Sequence, residues 1–134
     1  MKNNTSVLDI LKSYGYKLTP HRKTIVEYIE KVEGLFSAYQ VVEKFKHIDQ
    51  GSVYRTFGML QDLNIIHPIG EVDGQQYFEL HEKDGEHHHH IICTKCKKTE
   101  CVDCAIEVKK VPGFIVDHHS FLLTGLCMPC NQTV

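Results

Sequence analysis

The sequence predicts an α+β fold in two parts: a winged helix-turn-helix unit over residues 1–81 and a small α/β unit with a four-cysteine zinc site over residues 82–134. Three observations predict it. Helix signals crowd the first part and end in a β-hairpin signal. Short strand-like runs fill the second part. All six cysteines and eight of the ten histidines lie beyond residue 66. Charge divides the chain in the same way. Residues 1–66 hold 9 Lys+Arg against 7 Asp+Glu, a net of +2; residues 67–134 hold 6 against 10, a net of −4. Nucleic-acid binding depends on local basic patches, so an overall charge of −2 does not exclude it.

The elements follow in order. A first helix is predicted over 7–14. Thr19-Pro20 starts the next: Thr caps free backbone N–H groups and Pro suits the first helical position. Ile25, Ile29 and Val32 recur at helical spacing, and Gly34 can end the run. Ser37 caps a third helix with Ala38, Val41, Val42 and Phe45 on one face. After a break at 46–50, a helix over 50–63 buries Val53, Phe57, Leu60 and Leu63. Runs at 65–69 and 75–80 flank Asp73-Gly74, a hairpin turn signal. Helix, tight break, helix and hairpin is the winged helix order. The helix after the break is then the recognition helix, with Ser52, Tyr54 and Arg55 facing outward. The polar stretch 82–86 marks the boundary. Beyond it, 87–94, 99–103 and 114–126 have strand content, and 105–111 reads as a short helix ending at Pro112-Gly113.

Composition is that of a soluble globular protein: 42% hydrophobic and 24% charged. No apolar run is long enough to span a bilayer and no leader is visible, so the chain is expected in the cytoplasm. Thiols stay reduced there, and six cysteines read first as metal ligands. Three Cys-x-x-Cys pairs are present: Cys93/Cys96, Cys101/Cys104 and Cys127/Cys130. Two intervening residues let one turn present both sulfurs to a tetrahedral ion, and two such turns complete a closed, structural site. Cys93/Cys96 with Cys127/Cys130 is the better pairing, since both pairs follow apolar strand ends. Free buried thiols or a redox pair are the plainer alternatives. Cys104 is a candidate core residue, and Cys101 a candidate neighbour of a second metal.

Side chains alternate faces along a strand. In the run His87-His88-His89-His90, His88 and His90 share one face and His87 and His89 the other, which makes two half-sites. Candidate partners are His67, Glu79, His81, Glu100, Glu107, His118 and His119. His21 and His47 read as ordinary surface or core histidines.

Together these residues resemble the ferric uptake regulator (Fur) family over nearly the whole chain. The motifs that carry the likeness are Leu18-Thr19-Pro20-His21-Arg22, Ser37-Ala38, Ser52-Val53-Tyr54-Arg55-Thr56 and Tyr77-Phe78-Glu79-Leu80. His87 through Cys96, His118-His119-Ser120 and Gly125-Leu126-Cys127-Met128-Pro129-Cys130 complete them. The resemblance implies a homodimer of winged helices joined through the C-terminal units. It implies DNA contacts from Lys17, Tyr54 and Arg55, beside which Arg22 and the outward Ser52 are further candidates, and structural zinc on Cys93, Cys96, Cys127 and Cys130. It implies a sensing site drawn from Glu79, His88 and His90, and a further site from His87, His89, Glu107 and His119. Two departures stand out. Leu35 occupies the position where iron- and peroxide-sensing relatives place a histidine. Zinc-sensing relatives instead use the first wing strand, here His67, and a position just after the Tyr-x-Leu segment, here His81. The stretch between Cys104 and Gly113 is also short for the family's dimerisation helix, which leaves the projection of Glu107 open.

The resulting expectation is a repressor of metal-homeostasis genes that binds a pseudo-palindromic double-stranded operator, with no membrane association. It carries structural zinc and senses zinc by preference over iron or manganese. The alternatives are an iron-, manganese- or peroxide-responsive regulator, a zinc metalloenzyme, and a zinc-stabilised interaction module. An enzyme needs an open metal position and a general base. Glu79 near His88 and His90 could mimic that, but no His-Glu-x-x-His motif is present.

Overall fold

The computed structural model describes residues 6–32, 34–80, 88–104, 110–116, 119 and 121–131, with the side chain of residue 88 left aside. The expected sites at His81, His87, Glu107 and His118, and most of the expected 105–111 helix, lie outside these residues. Among them, no helix is long and apolar enough to cross a membrane.

Four helices build the first part: α1 (Val7–Ser13), α2 (Pro20–Lys31), α3 (Ala38–Lys44) and α4 (Gln50–Asp62). Each start is set by a side-chain cap. Ser6 caps α1, and Thr19 accepts from the Arg22 amide with Pro20 opening α2. Ser37 and Gln40 form a reciprocal capping box on α3, and Asp49 accepts from the Ser52 amide on α4. The apolar faces converge: Ile25, Val26 and Ile29 of α2, Val41 of α3, and Val53, Phe57 and Leu60 of α4 share one core. Thr56 is buried in that face, and its hydroxyl donates to the Ser52 carbonyl at 2.8 Å.

The wing is a three-stranded antiparallel sheet in the order β1 (Phe36–Ser37), β3 (Gln75–Leu80), β2 (Ile66–Val72). Asp73 and Gly74 both take positive φ (52° and 78°), the requirement of a two-residue type I′ hairpin. The turn consumes only those residues, so β2 runs on to Val72 rather than stopping at 69. Pro68 is tolerated because β2 is an edge strand, next to a register shift between Pro68 and Gly70. The two-residue β1 is too short to show a period in sequence. It brings Phe36 opposite Phe78, and both pack on Phe57.

The second sheet has the order β5 (Thr99–Asp103), β4 (His88–Cys93), β6 (Leu122–Gly125), with β4 antiparallel to β5 and parallel to β6. The expected strand over 114–126 is shorter. Among the described residues of that stretch the strand is β6, and Phe114, Ile115 and Val116 are exposed and outside any sheet. α5 (Met128–Asn131) stands where a polar turn is expected. The two sheets meet through a second apolar cluster of Leu35, Val72, Tyr77 and Ile92, flanked by Ile69 and Leu122. Gly34 (φ +100°) permits the approach, since a Cβ there would sit 2.5 Å from Thr99 Oγ1.

Candidate metal centres and nucleic-acid face

The parallel pairing of β4 with β6 sets Cys93 beside Gly125, two residues before Cys127. Past Cys93 the chain turns back: the Lys97 amide donates to the Cys93 carbonyl and the Cys93 amide to the Lys98 carbonyl, both at 2.9 Å. That knuckle aims Cys96 at the same point, and α5 returns Cys130 to it. The four sulfurs all lie within 4.8 Å of one another, with Cys96 and Cys127 3.7 Å apart. Their acidities diverge. Backbone amides of Cys127 and Cys96 aimed at its sulfur pull the Cys93 thiol down to about 5. The hydrogen bond to Cys127, then burial, push Cys130 up to about 12. Sulfurs this close cannot all ionise side by side, and a dication removes the conflict, so the donor set fits Zn²⁺.

A second cluster spans the two sheets. His67 and Glu79 are paired across β2 and β3, and His67 Nε2 lies 2.6 Å from Glu79 Oε1. The other carboxylate oxygen meets Nε2 of His90, on β4. His90 is 4% exposed, Glu79 16% and His67 39%, so the set is dry inside and open at the His67 end. Burial raises the Glu79 carboxyl, but hydrogen bonds from His90 and His67 outweigh it and hold the group below its ordinary value. On the far edge of the His90 ring, Cys101 Sγ is 4.0 Å from Nδ1. His67, Glu79 and His90 of the expected sensing set thus come together. Leu35 sits in the inter-sheet apolar cluster.

A third cluster joins His89, Cys104 and His119, whose ligand atoms lie within 4.8 Å of one another. Cys104 Sγ is 3.2 Å from His119 Nε2, and Phe121 stacks on the buried His89 ring at 3.8 Å. His89 and His119 are expected in this set from the sequence, whereas Cys104 is expected there as a core residue. Cys104 is instead partly exposed beside His119, because β5 ends at Asp103 and releases it from the sheet. Its only signal in sequence is its place in a Cys-x-x-Cys pair.

The outer face of α4 presents Tyr54, 47% exposed, and Arg55, whose side chain is 74% exposed. Arg55 donates to Ser52 Oγ at 3.3 Å, and Ser52 in turn is held by Asp49. Arg22 donates to the Lys17 carbonyl at 2.6 Å. Thr19, His21, Arg22, Ser52 and Arg55 line a cleft of about 360 Å³ where the first turns of α2 and α4 meet. Helix starts carry partial positive charge, so two of them beside two guanidinium groups suit a phosphate backbone.

Comparison with known proteins agrees in one direction. The model of the ferric uptake regulator family matches residues 13–132. The ferric uptake regulation protein of Bacillus subtilis (strain 168) is 31% identical, over 90% of this chain and 89% of its own length. The peroxide operon regulator of the same organism is 28% identical, over 93% and 91%. The solved structure of the ferric uptake regulator from Francisella tularensis with iron superposes with a TM-score of 0.64 at 26% identity, over 88% of this chain and 96% of that one.

Proposed function

The chain belongs to the ferric uptake regulator family, and from that premise we propose that it is a cytoplasmic transcriptional repressor, not an enzyme, whose hold on operator DNA is set by zinc. The observation that carries this reading is the Glu79 carboxylate, which bridges His67 of the wing and His90 of the second sheet. A cation held there by His67, Glu79 and His90, with His88 and His81 as further ligands, ties the DNA-binding unit to the dimerisation unit. In the homodimer this sets the two α4 helices about 34–36 Å apart, one turn of a pseudo-palindromic operator. The ion acts only by binding this arrangement better than an open one. Zinc is favoured over iron because Leu35 contributes no ligand and because imidazoles dominate the set. Glu79 supplies the oxygen that ferrous and manganous ions also accept, so the metal is the point to test. Cys93, Cys96, Cys127 and Cys130 hold structural zinc, and His89, Cys104 and His119, with His87 and Glu107, form an additional site.

The test is operator binding against free zinc, iron and manganese, from dimer that keeps structural zinc but is stripped of labile metal. Zinc is expected to activate at the lowest free concentration. Activation by iron or manganese below that level refutes the zinc reading and leaves the family assignment standing.

The DNA face has its own test. Lys17, Arg22, Ser52, Tyr54 and Arg55 are proposed contacts; Arg55, exposed beside Ser52 and Asp49, would pair with guanine and Tyr54 would reach a thymine methyl or a phosphate. Arg55→Ala should weaken operator binding by about 1–3 kcal/mol at fixed salt. Unchanged affinity, with fold and metal content intact, would move the interface off α4.

A further inference from the structure

We infer that the ion pair between Lys97 and Asp73 is a latch: it pins the tip of the wing to the cysteine knuckle of the second sheet and so pre-sets the metal site between the two sheets. This regulation of the site rests on the sensing-site reading above; the contact itself does not. Side chains alternate along a strand, so Tyr77 and Glu79 share one face of β3, and His90 and Ile92 share one face of β4. Glu79 meets His90, and Tyr77 clusters with Ile92. At the hairpin turn, the Lys97 ammonium donates to the Asp73 carboxylate and to the Thr94 carbonyl. Metal cluster, apolar seam and ion pair thus follow one another from the base of the wing to its tip. A cation at Glu79 grips the base and lets the tip pivot about the seam; Lys97 grips the tip.

The backbone points the same way. Lys97 has φ +67°, a conformation that an L side chain adopts at a cost. The knuckle imposes it, since the Lys97 amide donates to the Cys93 carbonyl at 2.9 Å. Glycine would meet that demand without strain. Lysine uses the same geometry to aim its ammonium at the wing. Asp73, at φ 52°, suits its hairpin turn. The side chains are 28% and 65% exposed, so the pair is weak and sensitive to salt, as a contact that must open requires. A ligand's apparent affinity scales with the fraction of protein already in the competent arrangement, so a weak latch still tunes the metal response.

The test uses dimer that keeps zinc in the four-cysteine site and is stripped of labile metal, with cobalt(II) as the probe and no DNA. One readout is cobalt affinity. The other is the NMR cross-peak between the Gly70 α-protons and the Leu122 methyls, which meet across the seam: a Cβ on Gly70 would lie 3.2 Å from Leu122 Cδ2. Asp73→Asn keeps the turn and Lys97→Gly relieves the backbone, so each removes the charge contact without harming its own segment. Each should bind cobalt about two- to fivefold more weakly in dilute salt and should weaken the cross-peak. The double variant should be no weaker than either single, because both act through one contact. Raising salt from about 0.01 M to about 1 M shortens the screening length from about 30 Å to about 3 Å and should bring the parent down to the variants. That series needs no variant and decides the matter if one fails to fold. Parent-like affinity and cross-peaks in both singles overturn the latch, as do losses that add in the double variant or a parent indifferent to salt. A parent without a labile cobalt site, whose cross-peak still weakens with salt and with each substitution, keeps the latch and refutes the sensing-site reading.

Discussion

A Cys96→Ser protein is expected to lose one zinc per chain, to disorder its second sheet and to fall apart as a dimer, while its helical first part stays folded. The asymmetry follows from where the apolar mass lies. The first part buries its own core, with Leu11, Ile25, Ile29, Phe36, Val53 and Leu60 almost wholly covered. Among the described residues beyond 87, only His89, His90, Ile92 and Cys93 are buried. A unit with so little apolar interior depends on a cross-link. Structural zinc in small domains contributes an apparent binding free energy of about 10–16 kcal/mol, and that energy is folding energy. Losing one of four thiolates also leaves the remaining sulfurs crowded without full charge compensation. The measurement is zinc content by atomic emission beside sedimentation and helical circular dichroism. A variant that keeps its zinc and its dimer would remove the four-cysteine site from its structural role.

Much of this architecture is legible in the chain because local chemistry dictates it. Thr19-Pro20 and Ser37 announce helix starts, since a side-chain oxygen must satisfy amides that no helical turn can reach. Asp73-Gly74 announces the hairpin because its two residues accept positive φ. The paired Cys-x-x-Cys turns announce the four-sulfur cluster. What stays hidden depends on distant partners. Phe36-Ser37 is a strand only because Phe78 lies opposite it. Leu35 reads as a missing ligand, yet its role is to pack on Val72, Tyr77 and Ile92, residues far along the chain. Cys101 and Cys104 look like one metal turn. The end of β5 separates them, and each sulfur meets a histidine of a different cluster. Spacing reports which groups can share a turn; register decides whether they do.

Glu79→Ala is expected to abolish the metal response while leaving structural zinc, the dimer and the fold of the first part in place. Both carboxylate oxygens are engaged, one by His67 of β2 and one by His90 of β4, and the Glu79 side chain is only 16% exposed. Alanine leaves two imidazoles on separate sheets with no oxygen between them. The consequence is larger than one lost ligand. Carrying a two-state equilibrium from about 1:99 to 99:1 requires a roughly 10⁴-fold preference of the ion for one state. A preference of that size needs donors fixed on both sheets at once, and Glu79 is the group that touches both. Glu79→Gln keeps the shape but loses the charge and should be nearly as inert. His67→Ala is the graded comparison. His67 stands at the open end of the set, so its loss should raise the zinc required without removing the response. The sign with pH follows from the depressed Glu79 carboxyl. Its stabilising contribution is present above the ordinary carboxylate range and is lost as pH falls through its lowered folded value. The readout is operator binding by fluorescence anisotropy across a zinc titration, for parent, Glu79→Ala, Glu79→Gln and His67→Ala. If Glu79→Ala follows the parent curve, the ion that controls DNA binding sits elsewhere, and the His89, Cys104 and His119 cluster becomes the site to mutate next.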